Sequence, residues 1–439
     1  MQLMKKSELL SPAGSLKNMR YAFAYGADAV YAGQPRYSLR VRNNEFSKES
    51  ILAQGIEEAH DRGKLFFLAS NLSPHNSKVR TYMADLGPII EMGPDALIMS
   101  DPGLIMMVRE RWPDMPIHLS VQSNAVNFAT VKFWQSLGLK RIILSRELSL
   151  KEVAEIREEC PDIELEVFVH GALCIAYSGR CLLSGYISHR DSNQGACTNT
   201  CRWKYNTLEA RETSTGDVIP AQAVNGELPV VLLEEETRPG ELMPASEDEH
   251  GTYIMNSRDL RAVQHVHTLA EMGIDSLKIE GRTKSFYYTA RTAQVYRRAI
   301  DDAVAGKPFD MAMMDELEGL ANRGYTEGFY RRHPPGEYQN YERGASKSDR
   351  QQFVGDITDC RDGWLTVDVK NRFEAGDHME LVTPSGNLSF DLEMIIGRDG
   401  NRSQVAPGSG HVVKIPLPEQ IDPLVTDEFA LLVRYLPAA

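Results

Sequence analysis

Nowhere does this chain run through the roughly 18 consecutive apolar residues that a membrane-spanning helix needs. Its opening, Met1 to Ser7, is short and basic and lacks the apolar stretch of a secretory signal. A strand-like segment begins at Glu8, and the expected location is the cytoplasm. Cysteine is scarce, with six in 439 residues. That is too few to staple a secreted scaffold, and in a reducing compartment clustered cysteines point to metal binding or chemistry. The chain also lacks a G-x-S-x-G elbow, an H-E-x-x-H pair and a P-loop, which withdraws the usual support for hydrolase, zinc-protease and ATPase readings. Positive charge is in deficit: 48 Lys and Arg against 61 Asp and Glu give a formal charge of −13. This argues against broad, unspecific polyanion binding and leaves contact with a nucleic acid through a local basic patch open.

What is present is a repeated local pattern. A helical segment ends near a glycine and a short aliphatic strand follows, as in Gly26-Ala-Asp-Ala-Val-Tyr, Gly63-Lys-Leu-Phe-Phe, Gly93-Pro-Asp-Ala-Leu-Ile, Gly138-Leu-Lys-Arg-Ile-Ile and Gly273-Ile-Asp-Ser-Leu-Lys. Glycine just past a helix adopts the left-handed conformation that stops it, and near-continuous apolar runs suit strands covered on both faces. Eight candidate strands arise: Glu8–Ser11, Ala29–Ala32, Leu65–Ser70, Ala96–Ser100, Ile117–Gln122, Arg141–Ser145, Leu165–His170 and Ser276–Glu280. Alternation with helices implies a parallel α/β sheet, and eight strands fit a closed TIM-type (β/α)₈ barrel better than an open one. No G-x-G-x-x-G follows the first strand, which weakens a dinucleotide-binding reading.

Residues 1–330 are thus read as a barrel domain, interrupted before its last strand by an acidic, Gly- and Pro-containing insertion at about 198–252. Residues 331–350 read as a linker carrying Pro334-Pro335-Gly336. Residues 351–439 show short alternating runs separated by turn signals, which predicts a separate small β-barrel domain.

The strongest chemical signal is C-x₆-C-x₁₅-C-x₃-C, from Cys174 through Cys181 and Cys197 to Cys201. It begins just after the seventh strand, on the face where barrel active sites are built. Four thiolates suit a [4Fe–4S] cluster or a structural zinc. Zinc sites usually pair cysteines as C-x₂₋₄-C knuckles, so the wide gaps favour iron–sulfur, with zinc the alternative and four ordinary buried cysteines the plain one. On the eighth strand Lys278 and Glu280 alternate with apolar residues and can point into the barrel as catalytic groups or as an interior ion pair with each other or Arg282. Arg282 follows a glycine and precedes a helix N-terminus, a setting for anions. The helix beyond presents Arg291, Arg297 and Arg298, expected to face solvent. Other strand ends place Asn71, Gln122, Asn124 and Arg146 at the same face, with Arg36, Arg40 and Arg42 in the loop after the second strand. These are candidate binding residues, a solvated loop being the plainer reading for any single arginine. His170 is a candidate ligand or acid–base group, a satisfied strand-end histidine being the plainer reading.

The segment Glu166-Val-Phe-Val-His-Gly-Ala-Leu-Cys174-Ile-Ala-Tyr-Ser-Gly-Arg-Cys181-Leu-Leu-Ser closely resembles the signature of peptidase family U32. The likeness extends from Glu8-Leu-Leu-Ser-Pro-Ala-Gly to Lys278-Ile-Glu-Gly-Arg and on through the C-terminal β-region. The layout is most similar to the branch of prephenate-dependent tRNA uridine hydroxylases. That resemblance implies hydroxylation of the wobble uridine at C5, with prephenate and an iron–sulfur cluster held by Cys174, Cys181, Cys197 and Cys201. It implies a tRNA anticodon loop as partner; on the reading of the residues themselves, the β-domain and the Arg331-Arg332 linker could grip the stem. The alternatives are a relative hydroxylating ribosomal RNA or a quinone precursor, and a metal-dependent, collagenase-like peptidase.

Overall fold

The structure is a computed structural model that describes residues 5–39, 44–173, 258–322, 324–331, 350–418 and 429–436. Between 173 and 258 only the backbones of short antiparallel strands are described: Ala210–Glu212 with Val218–Pro220, and Val231–Glu234 with Leu242–Asp248 and Gly251–Tyr253.

All eight strands expected from the sequence form. They are β1 (Glu8–Pro12), β2 (Ala29–Gly33), β3 (Leu65–Ser70), β4 (Ala96–Met99), β5 (Ile117–Leu119), β6 (Arg141–Ile143), β7 (Glu164–Ala172) and, after a short strand β8 (Asp259–Arg261), β9 (Ser276–Ile279). Each pairs in parallel with the next, and β9 closes the ring onto both β1 and β7. The barrel is closed. The five glycines expected to end helices, Gly26, Gly63, Gly93, Gly138 and Gly273, all have positive φ. What the sequence did not signal is β8, which runs antiparallel to β7, with Asp259 opposite Ala172 and Arg261 opposite His170. The described chain leaves the barrel after Leu173 and returns at Arg258, so both ends of the cysteine-bearing segment are fixed at the carboxyl end of β7.

The helices that matter for the site are α1 (Leu16–Ala24) and α8 (Phe286–Val304), which pack side by side outside β1 and β9. Ser15 and Ser285 cap them by accepting from the amides of Asn18 and Tyr288. Between them in number come α2 (Glu49–Asp61), α3 (Asn76–Glu91), α4 (Pro102–Arg111), α5 (Phe128–Ser136), α6 (Leu150–Glu159) and α7 (Val266–Glu271). No described helix is long and apolar enough to cross a membrane.

The C-terminal region is all-β. Its strands are β10 (Gln351–Arg361), β11 (Trp364–Val369), β12 (His378–Thr383), β13 (Gly386–Asp391), β14 (Ile395–Ile396), β15 (Arg402–Ser403), β16 (Val412–Pro416) and β17 (Leu431–Tyr435). They form one sheet in the order β13-β12-β17-β10-β11-β16-β14-β15. The sheet curls around its own core of Val354, Leu365, Val367, Leu381 and Ile415, but Val382, Leu431 and Val433 belong to the barrel's core. This region is therefore welded to the barrel, not hung from it. Arg291 is 1% exposed and donates to both carboxylate oxygens of Glu380 at 2.9 and 2.8 Å. Phe353 stacks on Tyr287 with centroids 5.0 Å apart, and Lys17 pairs with Asp356 at 2.7 Å. The expectation that α8 shows its arginines to solvent fails because the helix is covered on two sides. Arg297 holds Asp28 at 2.8 Å, and Arg298 is the most exposed of the three, paired with Glu316.

Candidate active site at the barrel mouth

Strand alternation fixes which side chains enter the barrel. On β9, Ser276 and Lys278 point inward while Leu277 and Ile279 face the helices, and Glu280, one residue past the strand's end, continues the inward parity. Low in the lumen, Arg141 binds Glu8 at 2.6 Å, Glu164 at 2.9 Å and Glu166 at 3.2 Å. The Lys278 ammonium lies 2.7 Å from Glu166 and 4.3 Å from the Tyr31 ring centroid. Lys278 is thus an interior ion pair, with Glu166 as partner in place of the Glu280 or Arg282 expected. Burial pushes the lysine's pKa down and that of Glu8 up, the latter against the pull of Arg141. Charges this deep persist only when paired and hydrogen-bonded, and here they plug the barrel floor.

Above this plug lies a more open set. Glu280 is 3.3 Å from the Tyr31 hydroxyl and 3.5 Å from Arg146. The Arg146 guanidinium lies 3.7 Å above the Phe168 ring centroid. Arg282, 8% exposed, donates to Ser38 at 2.7 Å and rests over Gly33, where a Cβ would be 2.7 Å from its Nη1. Gly171 has φ +108°, and a Cβ there would be 2.2 Å from the Glu280 carbonyl, so only glycine allows β7 this close to the segment carrying Glu280. Across the mouth, the Asn71 amide donates to Gln122 at 3.1 Å, and Asn71 accepts from the Leu39 amide. Asn124, in the left-handed region at φ +51°, donates to the Gln122 carbonyl at 2.9 Å. The strand-end residues Asn71, Gln122 and Asn124 are brought together as expected, and so are Glu280 and Arg146. Tyr31 was missed because it reads as one more apolar residue in a buried strand; its inward parity was the available signal.

Two candidates lie elsewhere. Arg36 turns outward at φ +67° and pairs with Asp85 on α3 at 2.9 Å, its side chain 64% exposed. His170 would point inward by simple alternation with Glu166 and Phe168. A bulge at Val169 shifts the register, so that Phe168 faces Lys278 but His170 faces Ile279. The ring consequently faces the helices, among Tyr288, Tyr296 and Tyr325. Its Nδ1 is 3.3 Å from the Tyr296 hydroxyl, and Nε2 has no hydrogen-bond partner among the described residues. This placement takes His170 out of the lumen.

Burial pushes the His170 pKa down to about 3. The unfolded chain takes up this proton below about pH 6.5, while the fold resists it down to about 3. Stability is therefore complete above the unfolded value and is lost as pH falls below it. A His170→Phe variant should lose less stability on acidification, the difference being up to about 1.4 kcal/mol per pH unit below about 6.5. Denaturant unfolding at several pH values checks this, and an unchanged slope would contradict it. His118, also buried and pushed far down, adds a slope of the same sign in both proteins.

Cys174, Cys181, Cys197, Cys201, Arg40 and Arg42 lie outside the described residues, as does the linker from 332 to 349. Among the described residues no group of three or more His, Cys, Asp or Glu could hold a metal ion.

Comparison with known proteins adds family matches. Residues 14–340 match the model of peptidase family U32, and residues 349–425 that of the peptidase family U32 C-terminal domain. The chain is 63% identical over 445 residues to "tRNA hydroxylation protein P" of Escherichia coli (strain K12), covering 98% of this chain and 97% of that protein. It is 35% identical to "tRNA hydroxylation protein P1" of Bacillus subtilis (strain 168), covering 95% and 94%. The Escherichia coli "23S rRNA 5-hydroxycytidine C2501 synthase" is 27% identical, over 91% of this chain and 56% of that protein.

Proposed function

The chain belongs to peptidase family U32, and on that premise we propose that it is a tRNA hydroxylase. It adds a hydroxyl group at C5 of the wobble uridine, using prephenate and an iron–sulfur cluster. The observation that carries the reading is full-length similarity to proteins named for tRNA hydroxylation, at 63% identity in one case. The cluster is assigned to Cys174, Cys181, Cys197 and Cys201. The donor set fits it chemically, since four thiolates suit iron–sulfur ligation. It falls in a segment whose two described ends meet at the carboxyl end of β7. When bound, such a cluster supplies electrons or an electrophilic iron.

The residues of the mouth have separate tasks in this reading. Arg282 and Arg146 are the cations that a dicarboxylate such as prephenate requires, with Arg40 and Arg42 as further candidates. Glu280, held between Tyr31 and Arg146, is the acid–base candidate nearest to them. Asn71, Gln122 and Asn124 offer amide donors and acceptors that match the two carbonyls and one N–H of a uracil edge. In an anticodon loop the base is already partly unstacked, so bringing it to the mouth costs little.

Nucleoside analysis of tRNA from cells lacking the gene tests the reading. Derivatives of 5-hydroxyuridine should disappear and return on complementation. Unchanged levels would remove the proposal, and loss of a hydroxylated ribosomal base instead would move the substrate to ribosomal RNA.

A further inference from the structure

We propose that the face of the small β-domain built from β11, β16, β14 and β15 holds the phosphate backbone of the RNA substrate. The inference rests on the tRNA reading above and adds a binding surface away from the mouth.

Register defines the face. Ile396 on β14 stands opposite Arg402 on β15 and opposite Lys414 on β16, and Lys414 stands opposite Thr366 on β11. Directly paired residues share a side of the sheet, so Arg402 and Lys414 project together across Ile396. Arg398, in the turn between β14 and β15, borders the same region. It lines a groove of about 380 Å³ with Arg402, Asn401, Ser403 and His411. All three residues are exposed, and none of their side chains has an ion pair or hydrogen bond among the described residues.

This is unusual for the domain. Neighbouring cations are neutralised: Arg361 by Asp359 at 3.0 Å, Lys370 by Asp368 at 2.5 Å and Arg372 by Glu374 at 2.6 Å. The one carboxylate in the groove, Asp399, is engaged by the backbone and side-chain amides of Asn401 at 3.1 and 2.8 Å. Three uncommitted cations on an acidic chain form a local positive field suited to a polyanion. Among the groove's lining residues Val412 is the one exposed large apolar side chain, which is too little for insertion at a membrane surface. The barrel does not cover the face. It docks against Glu380 and Val382 on β12, Phe353 on β10 and Leu431 on β17, in the other half of the sheet. A tRNA whose anticodon loop reaches the barrel mouth has backbone to spare for a second contact.

The test is full-chain protein carrying Arg398→Gln, Arg402→Gln and Lys414→Gln, titrated with full-length tRNA over a range of salt concentrations. Affinity should fall roughly tenfold at physiological salt, and the salt exponent should drop by about 0.7–0.9 for each phosphate contact removed. The KM for tRNA should rise in step while the unfolding midpoint stays unchanged. Equal affinity and an equal salt exponent would overturn the proposal. So would intact tRNA binding with loss of binding to phosphatidylserine vesicles. If the unmodified protein hydroxylates tRNA but the triple variant binds it equally well, only this face is wrong. If the unmodified protein leaves tRNA unhydroxylated, the tRNA reading itself fails.

Discussion

Replacing any one of Cys174, Cys181, Cys197 or Cys201 with Ala is expected to abolish both tRNA hydroxylation and the visible absorbance of the anaerobically purified protein, near roughly 400 nm for cysteine-ligated iron–sulfur. The four act as one unit, because a cluster that is held by four thiolates and loses one is left with an iron open to solvent. The remaining two cysteines are the internal controls. Cys160 closes α6 at its C-terminus, 2% exposed, with its sulfur 3.6 Å from the Phe128 carbonyl on the outer layer of the barrel. Cys360 lies on β10 opposite Leu365 in the small β-domain. Truncating either to Ala removes a small, partly apolar group and should cost about 1 kcal/mol of stability, leaving absorbance and activity in place. Equal losses at all six positions would contradict the ligand assignment. Full activity together with zinc in metal analysis would replace the cluster with a structural metal.

The second large effect concerns stability. Glu380→Ala should destabilise the whole protein by about 3–5 kcal/mol, because it leaves the Arg291 guanidinium buried without its counter-ion. Arg291 is 1% exposed, and the other carboxylate near it, Glu316, is 3.8 Å away and already holds Arg298. Gln351, which donates to Glu380 at 3.1 Å, would lose its acceptor as well. Denaturant unfolding measures this as a lower midpoint. The double change Arg291→Met with Glu380→Leu should recover most of the loss, since apolar residues of similar volume often replace a buried ion pair at little cost. If Glu380→Ala unfolds like the unaltered protein, the two regions do not depend on each other, contrary to the shared core.

The barrel was legible in the sequence because its strands are covered on both faces, so apolar runs such as Ala29-Val30-Tyr31 announce them without any knowledge of partners. The placement of the strand-end candidates was legible for a related reason: Asn71, Gln122 and Arg146 each follow a mainly apolar strand, and a closed barrel gathers such positions at one mouth. What depends on register was not legible. The partner of Lys278 is Glu166 because β7 and β9 pair at one particular offset, and nothing local to either strand states that offset. His170 left the lumen through a one-residue bulge at Val169, and no glycine or proline marks that position. Arg291 defeated the surface reading because α8 serves two layers: an amphipathic pattern records one buried face, whereas the β-domain supplies a second. The small domain's strands followed from alternation and turn residues, but its attachment did not, since Val382, Leu431 and Val433 look the same whether they face their own core or another.

The most direct measurement is hydroxylation in vitro. Protein purified anaerobically, reconstituted with iron and sulfide, is incubated with unmodified tRNA, with and without prephenate, and the tRNA nucleosides are analysed by mass spectrometry. The expected product is 5-hydroxyuridine at the wobble position, formed only with prephenate and only with all four clustered cysteines present. Formation of the product by protein lacking those cysteines, or no product from fully reconstituted protein, would contradict it.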